Sequence, residues 1–247
     1  MSHNALISIV WAVSVILNCG LVAVLIGKGS LRRFPFFGAY AIFTLLQNGP
    51  LYLVRSFHNA YFYVFWVCEG VGLILGFAVV YEVFRRLLNP YPALRRVALQ
   101  VFQWSTLVLV LMGCVVLYAQ STVAQNRISA AVMVVEEATR IIEVGLLMFL
   151  FLFSTAFGLH WRQYVFGMAL GLGIFATVAL VDITVRNYWG IEVNNPISLL
   201  RAITFNISLF VWTGYLLVPE RQTSLAEAPQ HGQLEQWNQA LTEFIYQ

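Results

Sequence analysis

The sequence predicts an all-α fold, a polytopic membrane protein built as a seven-transmembrane helix bundle with a short amphipathic C-terminal helix. Three observations predict it. The 247 residues are 60% hydrophobic and only 10% charged, with a mean hydropathy of +0.77; soluble domains carry roughly 25% charged residues. Seven apolar stretches of membrane length follow one another, at 5–27, 34–54, 61–84, 97–118, 129–158, 164–185 and 196–218. Basic residues concentrate in alternate loops between them. Seven spans of roughly 20 to 25 residues use most of the chain, so no soluble catalytic domain is expected within it.

The first stretch has no basic residue ahead of it and is too long and evenly apolar for a cleavable signal peptide. Lys28, Arg32 and Arg33 follow it. The second contains Gln47-Asn48-Gly49-Pro50; Pro50 removes one ladder bond and frees a carbonyl near Leu46. The third carries Glu69 beside Gly72-x-x-x-Gly76, a spacing that lets helix backbones approach closely. Asn89-Pro90-Tyr91-Pro92 is a turn that separates it from the fourth, which is free of charge from residue 97 through 126. The fifth is the most polar, with Glu136, Glu137, Arg140 and Glu143. The sixth holds a second such motif, Gly167-x-x-x-Gly171, and ends in Asp182 and Arg186. The seventh places Arg201, Thr204 and Ser208 on one face. Arg33 to Gly38 and Arg162 to Gly167 both read R-x-x-x-F-G, which suits a parallel repeat relating helices 1–3 to helices 5–7.

Orientation follows from the loops. Nine basic residues (Lys28, Arg32, Arg33, Arg85, Arg86, Arg95, Arg96, Arg162 and Arg221) fall on one side, against Arg55, Arg127 and Arg186 on the other. The richer side is expected in the cytoplasm, which puts the N-terminus outside and the C-terminus inside. Tyr61, Tyr63, Trp66, Tyr118, Tyr188 and Trp189 at outer ends, and Tyr91, Trp161 and Tyr164 at inner ends, suit interfacial anchors.

Ionisable groups in hydrocarbon are expensive and need a partner or a function. Counted by helix rise from the inner ends, Gln47 lies at roughly 20 Å, Glu69 and Glu143 at roughly 22 Å, Arg201 at roughly 25 Å and Arg140 at roughly 27 Å. Against a hydrocarbon core of about 30 Å, all fall in the outer third. Gln47, Asn48, Glu69, Glu136, Arg140, Glu143 and Arg201 are therefore the candidate ligand-binding residues. Two readings stay open: a salt-bridged network that pins helices together, and an outward-facing pocket that orients a small polar ligand. Glu136, Arg140 and Glu143 share one face at spacings that allow Glu–Arg pairs within the helix. Asp182 and Arg186 would sit just above.

Enzyme chemistries find little support. Glu136-Glu137-Ala-Thr-Arg140 is close to the paired-glutamate motif of CAAX-type intramembrane proteases, but the Arg comes one residue early. Those enzymes also need intramembrane histidines, and His3, His58, His160 and His231 lie at helix ends, in loops or in the tail. Interhelical haem, zinc hydrolase and retinal Schiff-base sites lack their His or Lys ligands. No H-E-x-x-H or G-x-S-x-G occurs. Cys19, Cys68 and Cys114 show no metal or disulfide spacing. No cofactor, no metal and no nucleic-acid partner is expected.

Residues 220–232 form a polar linker, and 233–247 an amphipathic helix with Leu234, Trp237, Leu241, Phe244 and Ile245 on its apolar face. That helix has no basic residue, so it suits docking onto the chain itself, a protein partner or a second copy better than an anionic membrane surface.

Phe65-Trp66-Val67-Cys68-Glu69-Gly70-Val71-Gly72 is similar to an aromatic-Glu-x-x-Gly stretch in the seven-helix sensor regions of bacterial histidine kinases and cyclases. The resemblance implies an integral protein of the bacterial inner membrane with a sensory role. The chain departs from that family in having no kinase or cyclase output domain. The expectation is a non-enzymatic, receptor-like sensor module; the alternatives are a small-solute transporter and an accessory subunit of a membrane complex.

Overall fold

The computed structural model describes residues 3–54, 56–89, 92–119, 124–156, 163–189 and 194–218. The linker and the tail helix expected at 220–247 lie outside the described residues, as does the side chain of Arg186.

Described residues fold entirely as helices and turns: α1 His3–Gly27, α2 Ser30–Arg33, α3 Pro35–Leu46, α4 Asn48–Val54, α5 His58–Leu87, α6 Pro92–Ala119, α7 Ala124–Ala156, α8 Gln163–Trp189 and α9 Asn194–Leu217. Five are long and apolar enough to cross a membrane: α1, α5, α6, α8 and α9. The second apolar stretch is split into α3 and α4, and the fifth, α7, carries the four charges between 136 and 143.

Local chemistry explains the boundaries. Gly29 takes φ +62°, the left-handed conformation that ends α1 without a Cβ penalty. Pro35 opens α3, where its missing N–H costs nothing. The break at Gln47 lies three residues before Pro50, whose ring cannot sit beside the Leu46 carbonyl of a straight helix.

Neighbouring elements run in alternating directions, and side-chain contacts fix this. Trp11 meets Asn48 and Asn18 meets Thr44, so α1 opposes α3 and α4. Phe37 meets Glu82 while Tyr40 and Phe43 lie beside Gly76 and Gly72, so α3 opposes α5. Phe151 stacks edge-on against Phe166 at one end of α7 and α8, and Arg140 lies over Phe175 nearer the other. Along α8 and α9, Asp182 faces Arg201, Gly171 faces Trp212 and Gly167 faces Tyr215. Helices α1 and α9 run parallel: Asn206 Nδ2 donates to the Val10 carbonyl, and Lys28 Nζ to the Leu216 and Leu217 carbonyls at 2.5 and 3.0 Å. The only lysine thus caps the C-terminus of α9, where the helix dipole favours a cation.

The glycine motif of α8 works differently from the close backbone approach its spacing suggests. A Cβ on Gly171 would overlap the Trp212 indole, and one on Gly167 would overlap Tyr215. The glycines accept aromatic rings from α9 rather than its backbone. Trp212 is fully buried and bonds the Met168 carbonyl through Nε1. Around it, Phe37, Tyr40 and Phe205 meet the indole edge-on with centroids 5.3 to 6.5 Å away. By contrast α6 exposes Val101, Trp104, Leu107, Val108, Val110, Leu111 and Val115, an apolar flank that suits lipid contact.

Candidate functional site

Four helices bring ionisable side chains to one place. Arg201 reaches from α9 between α5, α7 and α8. Its Nη2 donates to Glu69 Oε1 at 2.8 Å and to Glu136 Oε1 at 2.9 Å, and its Nη1 lies 3.5 Å from Asp182 Oδ2. A guanidinium suits this position because its planar fork offers several donors with fixed directions. A second pair lies further along α7, where Arg140 Nη1 donates to Glu143 Oε2 at 2.7 Å. Both guanidinium carbons sit near the Phe175 ring, at 5.2 Å for Arg140 and 5.9 Å for Arg201, within cation–π range.

Burial grades across the cluster. Glu143 and Asp182 are almost wholly enclosed, Glu136 and Arg140 nearly so, while Arg201 and Glu69 keep about a quarter of their side-chain surface exposed. The network therefore opens on the Glu69–Arg201 side. Gly76 makes room for Glu143: a Cβ there would stand 3.3 Å from Oε1. That oxygen is buried and accepts no hydrogen bond among the described residues, and Arg140 Nε is likewise undonated. Among the described residues, four carboxylates face two guanidiniums in the cluster.

Of the residues singled out from sequence, Glu69, Glu136 and Arg201 bond directly, and Arg140 and Glu143 form the adjoining pair. Glu136 does not pair with Arg140 along its own helix; it bonds across to Arg201 instead. The amides of the second stretch do not join. Asn48 Oδ1 accepts from Trp11 Nε1 at 3.2 Å, and its Nδ2 donates to the Thr44 and Leu45 carbonyls. It closes the broken end of α3, where carbonyls lack their usual helical donors. Gln47, half-buried at the break, contributes its backbone to the ladder, accepting from Leu51 N–H at 3.4 Å.

Asp182 is a direct partner of Arg201 rather than a residue above the cluster. Its position was readable. In an antiparallel pair of helices joined within the sequence by 190–193, Asp182 lies as far before that segment as Arg201 lies after it, and Gly171 as far before it as Trp212 after it. Thr204 and Ser208 continue the buried α9 stripe, and Ser208 Oγ donates to the Gly171 carbonyl at 2.8 Å. Below them the Phe205, Trp212, Tyr40 and Phe37 rings fill the interior. Among the described residues, no group of three or more His, Cys, Asp or Glu is arranged to hold a metal ion.

No family model matches the chain, and no curated protein and no solved structure matches it. What is established is a helical protein with five helices long and apolar enough to cross a membrane, with an ion network joining α5, α7, α8 and α9.

Proposed function

We propose that this chain is a non-enzymatic, receptor-like membrane protein that reads a small polar solute through the Arg201 network. The observation that carries the reading is the meeting of carboxylates from three helices on one guanidinium of a fourth. A solute that competes for any of these bonds changes how four helices pack, which is what a sensor needs. Ion pairs in an apolar interior are poor stabilisers compared with well-packed apolar residues. Intramembrane charge is in general a marker of function. Glu69, the most exposed carboxylate of the network, favours a solute with a cationic amino group that enters beside it.

In this reading the chain crosses the membrane seven times, with the N-terminus outside and the C-terminus in the cytoplasm. The opposed directions of α1 with α3 and α4, of α3 with α5, of α7 with α8 and of α8 with α9 support seven crossings. The loop charges support the orientation. The sensor-region resemblance in 65–72 agrees with it. A sensor is favoured over a carrier because Phe37, Tyr40 and Phe205 pack around Trp212 in the interior, where a carrier would need polar groups.

Thermal melting of the chain in lipid nanodiscs, against a panel of primary amines, amino acids and simple carboxylates, tests the proposal. An amine-bearing solute should raise the midpoint, and Glu69→Gln should abolish the rise while leaving the folded yield unchanged. If nothing in the panel moves the midpoint and Glu69→Gln alone depresses yield, the network is purely structural. Solute uptake by proteoliposomes would replace the sensor with a carrier.

A further inference from the structure

At the opposite end of α5 from Glu69 lies a second polar site that the Arg201 network does not touch. A cavity of about 370 Å³ is lined by Arg32, Pro35, Phe36, Glu82, Arg85, Arg86 and Asn89. At about 30 Å³ per water, that is room for roughly a dozen waters, or for a phosphate with its glycerol.

Glu82 and Arg86 form its fixed wall. The buried Glu82 carboxylate accepts the Phe37 N–H through Oε2 at 3.0 Å, serving the N-terminus of α3, where a helix presents unpaired donors. Its Oε1 accepts from Arg86 Nη2 at 3.2 Å, and the Arg86 guanidinium lies 4.3 Å over the Phe34 ring. Glu82 is thereby committed to two donors. Arg32 and Arg85 are exposed and bond no acceptor among the described residues. Three guanidiniums and one engaged carboxylate leave the cavity net cationic. Pro35 and Phe36 give it an apolar flank, and Tyr81 meets Phe36 edge-on at 6.2 Å. Arg85 and Arg86 close the apolar run of α5, which sets the cavity at the depth where lipid headgroups lie.

We propose that the cavity between the start of α3 and the end of α5 binds a phosphate-bearing anion, the headgroup of an anionic phospholipid, through Arg32 and Arg85. Guanidinium pairs recognise phosphate oxygens by parallel N–H donation. The apolar Phe36 flank distinguishes a lipid from free phosphate, because it can meet the glycerol and first acyl carbons.

The test uses the full chain in neutral detergent, with melting followed during titration with a short-chain phosphatidylglycerol, a short-chain phosphatidylcholine and inorganic phosphate. The anionic lipid is expected to raise the midpoint by several degrees and the zwitterionic lipid to do markedly less. In R32Q/R85Q the anionic-lipid shift should vanish, while R33Q/R96Q, which removes equal charge at the same end, should keep it. Equal loss in both variants means diffuse electrostatics and overturns the proposal, as does an undiminished shift in R32Q/R85Q. A shift with inorganic phosphate as large as with the lipid overturns the lipid assignment in favour of a soluble phosphate. Should the double variant fail to fold, R32Q and R85Q are made singly, and each is expected to weaken the lipid response at least threefold.

Discussion

At the scale of single residues, glycines and buried carboxylates carry the sharpest expectations. Gly171→Leu forces the Trp212 ring from its seat, since even a Cβ would overlap it; overpacking of this kind costs about 1–3 kcal/mol. Gly145→Ala, where nothing lies within 4 Å of the added methyl, should be near neutral. Denaturant midpoints for the two variants check the contrast. Glu82→Ala strips the acceptor from the Phe37 N–H and should cost about 1–2 kcal/mol, as loss of a helix cap does. Glu82→Gln keeps an acceptor and should cost less. Sequence reading reached Glu69, Glu136, Arg140, Glu143 and Arg201 because a charge in an apolar run is conspicuous. It could not say what fills the space beside a glycine, because an absent side chain carries no sign of its neighbour. Asn48 shows the ambiguity of an amide, which can serve a ligand or a broken helix end; here it bonds Trp11 Nε1 and the Thr44 and Leu45 carbonyls.

Among elements, the broken second stretch and the α8–α9 hairpin behave differently. Pro50 has no N–H to return to Leu46, so α3 and α4 part at Gln47. Pro50→Ala restores that donor and should join the two into one helix, raising hydrogen-exchange protection of the amides at 50–52; unchanged protection would place the cause of the break elsewhere. Trp212 fills the seam between α3, α8 and α9, so Trp212→Ala should cost about 3–5 kcal/mol through the cavity it leaves. The break was foreshadowed by Gly49-Pro50, a local signal. The seam was not, since it depends on which helix faces which. Hydropathy marks where helices run but not how they are rotated.

For the whole molecule, apolar composition dictates helices, and helix direction then follows from the short connections. Cysteine replacements at residues 3, 89 and 218, in a chain with Cys19, Cys68 and Cys114 changed to Ala, should label from the outside only at residue 3; Asn89 and Val218 are exposed. Labelling of residue 89 from outside would reject the proposed orientation. Composition alone could not reveal that four helices are tied through one side chain, because that depends on three separate packings being satisfied together. The Arg201 network is the central structural claim, and a double-mutant cycle on Arg201→Gln and Glu136→Gln tests it most directly. With Arg201 Nη2 2.9 Å from Glu136 Oε1, the unfolding free energies should be non-additive by about 1–3 kcal/mol, the double variant losing less than the sum of the singles. Additivity to within about 0.5 kcal/mol would mean the two side chains do not meet.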